Sequence, residues 1–111
     1  MSDRTIDPHV AVDYIIKHAE QFAKAKAERI YLEEYRKSLK AILMKRSIEE
    51  TIGGQEREAY AHPEYTELLK GLREAVEIEE KLRWDLVAAQ ARVEVWRSQE
   101  ASSRAESRAV I

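Results

Sequence analysis

The chain has 111 residues, a formal net charge of −2 and no cysteine. That length makes one small domain, and the absence of thiols excludes disulfides, thiolate metal sites and a thiol nucleophile. Near-neutral charge gives no global signature of a nucleic-acid binder, so any anion site must come from local patterning.

Charged residues make up 36%, against only three Gly and two Pro, a mix that with helical periodicity indicates long helices. Met-Ser-Asp-Arg leads into no apolar segment, and the longest apolar runs are as short as residues 41–44 (AILM). Neither a signal peptide nor a membrane span is expected, and the expected location is the cytoplasm, that of the host if the chain is phage-encoded.

In chain order, residues 1–7 form a polar leader. Asp7 is placed to cap a helix whose first position is Pro8. A first helix is predicted over 8–47, with Val12, Ile15, Ala19, Phe22, Leu32, Tyr35, Leu39 and Ile42/Leu43 on one face. Its apolar stripe thins at residues 23–28, where a kink or break remains open. The connection is 48–62, in which Gly53-Gly54 is expected to build a turn and the following QEREAYA one helical turn. His62-Pro63 restarts the chain, with Glu64 and Glu67 well placed against the helix dipole. The second long helix is predicted over 63–104. Tyr65, Leu68, Leu72, Ala75, Leu82, Leu86, Ala89, Val93 and Trp96 recur along it in steps of mainly three and four. Glu79 interrupts that seam. Residues 105–111 are expected to fray.

Two long helices and one connection predict an all-α fold: an antiparallel, coiled-coil-like hairpin assembled into a homo-oligomer. Placing Leu43 beside Leu68 puts Phe22 near Ala89, Ile15 near Trp96 and Arg29 within reach of Glu79. A partly buried Arg–Glu pair of that kind sets register at some cost in stability. Outside the seam, Trp84, Val87, Ala88, Ala91 and Val95 form a second apolar stripe that a two-helix hairpin leaves uncovered. Such a stripe is the expected oligomer interface.

Signals of catalysis are weak. His9, His18 and His62 form no metal-ligand motif, Glu77, Glu79 and Glu80 read as a charged helix face, and Gly53-Gly54 lacks the context of a phosphate loop. No enzyme activity, cofactor, metal or small-molecule substrate is expected. The informative charge feature is RKSLKAILMKR, which carries Arg36, Lys37, Lys40, Lys45 and Arg46 and no acid. With Arg57 these cations form a candidate phosphate-binding rim, and Tyr60 and Tyr65 offer stacking platforms for single-stranded bases. The competing reading is electrostatic complementarity inside the hairpin, because residues 64–80 are acidic. It leaves a helical adaptor that binds a protein partner through residues 84–96.

Leu39-Lys40-Ala41, followed by Leu43, Gly53, Tyr65 and Leu69/Leu72, resembles the UvsY-type recombination mediators among the short helical proteins of phages and prophages. The likeness spans about residues 25–100. It implies an oligomeric helical protein that binds single-stranded DNA, with a RecA-like recombinase or a single-strand binding protein as partner. Lys40 matches one of the family's basic positions. Ile42 stands where the family motif has an arginine, although Lys45 and Arg46 follow within a turn.

Overall fold

The structure, a computed structural model, describes residues 5–110. The predicted leader lies largely outside them; Thr5, Ile6 and Asp7 precede the first helix. Three helices follow in order: α1 (Pro8–Arg46), α2 (Ile52–Ala61) and α3 (Pro63–Val110), with no strand among the described residues. The fold is all-α, and no described helix is long and apolar enough to cross a membrane.

Each helix start has a chemical cause. The backbone N–H of His9 donates to Asp7 Oδ1 at 2.9 Å, the expected cap of α1. From there α1 is helical without a break through residues 23–28. It ends where Ser47 leaves the helix and the Glu49 N–H donates to Ser47 Oγ at 3.1 Å.

The connection holds more helix than the sequence suggested. Thr51 sits in extended geometry as the N-cap of α2, and its hydroxyl accepts from the Gly54 N–H at 3.0 Å. The glycine pair therefore opens a helix rather than building a turn, and no glycine has a positive φ. The residues after it are strong helix formers. At the far end His62 serves both neighbours: its N–H donates to Ala59 O at 3.2 Å, and its Nδ1 accepts from the Glu64 N–H at 3.0 Å.

The two glycines differ in what surrounds them. A methyl group on Gly53 meets nothing within 4 Å, whereas one on Gly54 falls 2.9 Å from Thr51 Oγ1 and 3.1 Å from Glu49 Oε2. Gly53→Ala is therefore expected to stabilise the chain by roughly 0.5–1 kcal/mol. Gly54→Ala displaces the cap and destabilises it by about 1 kcal/mol. Urea melts of the two variants check this, and equal shifts of the same sign would contradict it.

The chain divides into two compact units, one made of residues 23–80 and one of the segments up to Phe22 and from Lys81 onward. In the central unit Leu39, Leu43, Ala59 and Tyr65 form the buried cluster, with Met44 and Leu68 packed against it. Arg29–Glu79 at one end and Arg46–Glu64 at the other show that α1 and α3 run antiparallel within this unit. The predicted meeting of the two polar seam residues is present. Arg29 Nε donates to Glu79 Oε1 at 2.5 Å and Nη2 to Oε2 at 3.3 Å. Glu33 completes the cluster, accepting from Arg29 Nη1 at 3.1 Å. The two carboxylates hold the guanidinium pKa above its ordinary value, Glu79 foremost.

The other unit departs from the expected register. Ala89 shares a groove with Val10, Ala11 and Tyr14, not with Phe22, a displacement of roughly two to three helical turns. Ala11 and Ala89 are both buried, and two such small side chains let backbones approach closely. Asp85 is held below the usual carboxylate range first by Lys81, 2.8 Å away, against the opposing cost of burial and with help from the Tyr14 hydroxyl. Of the segment 105–111 expected to fray, the described residues belong to α3, which continues to Val110 and is exposed over its last turns. Ser, Ala, Arg and Glu make up most of that stretch and neither Gly nor Pro interrupts it, so nothing in the sequence stops the helix.

Candidate nucleic-acid interface

The predicted cations do not form one rim. Arg36, Lys37 and Lys40 are on one side of α1, where with Ala41 and Met44 they line a groove of about 620 Å³ closed by Tyr60 of α2 and Tyr65 of α3. Steps of four residues, 36 to 40 to 44, place these side chains in a row. Lys45 is exposed outside this groove. Arg46 points to Glu64, with Nη2–Oε2 at 3.0 Å. Arg57 lines a separate groove with Ile48, Glu49, Gly54, Glu58 and Ala61.

The groove is built around Lys40. Its Nζ lies 2.9 Å from Glu56 Oε1 and 4.8 Å from the centre of the Tyr60 ring. Tyr60, then Glu56, hold the ammonium in its charged form, with its pKa pushed up to about 12. Tyr60 meets Tyr65 edge to face, with ring centres 5.3 Å apart. Tyr65 is buried in the core cluster while Tyr60 is exposed. Of the two predicted stacking residues, only Tyr60 therefore presents a ring to solvent.

In-chain pairing consumes part of the positive charge. Lys37 approaches Glu34 at 3.3 Å, both highly exposed, a contact that water and salt largely screen. Arg46 lowers the Glu64 carboxyl pKa through its hydrogen bonds. Arg36, Lys45 and Arg57 form no ion pair among the described residues. Of these cations only Arg46 meets an acid of the 64–80 segment, Glu64; Lys37 meets Glu34 of its own helix and Lys40 meets Glu56 of α2, while Arg36 and the screened Lys37 border the aromatic groove.

Sequence reasoning missed Glu56 as the anchor of Lys40, and Met44 and Ala41 as groove floor. The four-residue spacing from Lys40 to Met44 was the available signal for the latter. Trp84, Val87, Ala88, Ala91 and Val95 are exposed on α3, and Ala88 also lines the groove shared with Val10, Ala11 and Tyr14 of α1. No protein-family model, curated protein or solved structure matches this chain.

Proposed function

We propose that this chain is a non-catalytic, phage-type accessory protein that binds single-stranded DNA along the α1 groove and assists the loading of a recombinase. The observation that carries the DNA contact is the juxtaposition of Arg36, Lys37 and Lys40 with the exposed Tyr60 ring. Cations track a phosphate backbone and an aromatic face stacks bases without sequence preference. In this reading the two long helices act as one antiparallel hairpin, and copies joined through the α3 stripe repeat the groove. Each added phosphate contact then strengthens binding by counterion release. The RecA-like recombinase or single-strand binding protein as partner rests on the resemblance to UvsY-type mediators alone.

A second reading has its own support. Lys40–Glu56 and Arg46–Glu64 join α1 to α2 and α3, so these cations also serve the fold. On that reading the chain is a helical adaptor whose α3 stripe engages a protein.

Anisotropy of a labelled oligo-thymidine, titrated across salt, separates the two. Arg36→Glu/Lys37→Glu is the informative variant, because neither residue anchors one helix to another. DNA binding predicts at least a tenfold weakening and a shallower salt dependence by roughly one to two in slope. Absence of salt-sensitive binding by the native chain at low ionic strength retires the DNA reading in favour of the adaptor.

A further inference from the structure

The apolar face of α3 leaves Trp84 57% exposed, and an uncovered patch of this kind marks an interface. The order of side-chain sizes along the face identifies its cover. Trp84 is large, Ala88 and Ala91 are small and Val95 is intermediate, at steps of four, three and four that hold one side of a helix. An in-register parallel pairing sets indole against indole and leaves the alanines facing a gap. An antiparallel pairing instead lets each Trp84 enter the hollow bounded by Ala88, Ala91, Arg92 and Val95 of the other copy, as a knob enters a hole.

The charges beside the stripe fit the same arrangement. Arg83 and Glu94 lie on one flank and Asp85 and Arg92 on the other. A two-fold axis near Ala88 turns each flank against its own copy, so Arg83 meets Glu94 twice, while on the other flank Asp85 stays with Lys81 and the Tyr14 hydroxyl of its own chain. The Arg83 guanidinium carbon lies 4.6 Å from the Trp84 ring centre, beside the stripe. Among the described residues Glu94 pairs with Arg97 at 3.3 Å, both about two-thirds exposed, and such a contact exchanges at little cost.

We propose that two copies of this chain pack α3 against α3 antiparallel through Trp84, Val87, Ala88, Ala91 and Val95, with the two-fold axis close to Ala88. This deepens the self-association within the DNA-binding reading, but it is carried by α3 alone and is tested without DNA.

The cysteine-free chain accepts single spin labels at Gln90→Cys and Gln99→Cys. At 1.5 Å rise per residue and 8–10 Å between axes, the antiparallel pair brings the two residue-90 backbones to about 12 Å and separates the residue-99 backbones by about 35 Å, so the labels at 90 report a much shorter distance than those at 99. Equal short distances at both sites indicate a parallel pair and overturn the proposal, as does a monomer mass by light scattering at 100 µM protein. Charge exchange tests the register: Arg83→Glu weakens association about tenfold, and Arg83→Glu/Glu94→Arg restores it. Weakening without restoration rejects the Arg83–Glu94 pairing and with it the placement of the axis. Because every measurement uses DNA-free protein, failure here is distinguishable from failure of DNA binding.

Discussion

Replacing Glu79 by Ala is expected to lower the melting temperature by more than about 5 °C, and Arg29→Met/Glu79→Leu to recover most of that loss. Glu79 is only 7% exposed, the one charged residue in the buried set of the described chain. Its two oxygens accept from Arg29 while Glu33 accepts from the remaining guanidinium nitrogen. Taking Glu79 away leaves a partly buried guanidinium with one partner; Arg29→Met leaves a buried carboxylate with none. Breaking such a pair from either side is costly, whereas replacing both members by apolar residues of similar size is often neutral or better. The double variant therefore tests what the pair is for. If it fixes register, Arg29→Met/Glu79→Leu melts near the native temperature but shows broadened backbone NMR signals around residues 29–33 and 75–82. Native-like melting of Glu79→Ala would show instead that the pair contributes nothing, and sharp spectra for the double variant would remove its role in register.

That pair was legible in the sequence because each residue broke an otherwise apolar seam, and a charged intruder in one helix needs a partner in its neighbour. The helix starts at Pro8 and Pro63 were legible for a local reason, Asp or His immediately before Pro. What the periodicity could not convey was the pairing of the segments ending the chain. Ala11 and Ala89 carry almost no side-chain identity, and an alanine seam packs in several registers with similar burial. The Tyr14–Asp85 contact then selects among them, and nothing in a 3-4 pattern distinguishes that contact from its alternatives.

The connection was misread for a different reason. Gly53-Gly54 dominates a reading by propensity, yet the two residues lie in the first turn of α2, where backbone N–H groups need a cap more than a Cβ. Thr51 three residues before Gly54 was the signal. The basic stretch shows the remaining limit. Charge runs are visible in sequence, but which cations find acids depends on where α2 docks. Lys40 is anchored by Glu56 only because α2 exists, and Arg57 leaves the rim for the same reason.

Docking of α2 is also where a single truncation should cost most. Leu43→Ala is expected to destabilise the chain by about 3 kcal/mol, a large share of the total stability of a domain this size. Leu43 is 4% exposed and shares its cluster with Leu39, Ala59 and Tyr65, so it touches the place where all three helices converge. Ala59 of α2 is 1% exposed there, and its methyl cannot expand to fill the space a leucine leaves. With ten residues, α2 is shorter than the roughly 12–15 that an isolated helix needs in water, so its helicity depends on this contact. The variant should melt at least about 12 °C lower and be cut by protease between residues 47 and 62 well before the long helices. Leu69→Ala, at an exposed position of α3, is the control and should shift melting by no more than about 2 °C. Should both variants melt alike, the Leu43 cluster is not what holds α2, and the Lys40–Glu56 and Ser47–Glu58 contacts, at 2.9 and 2.7 Å, carry the docking instead.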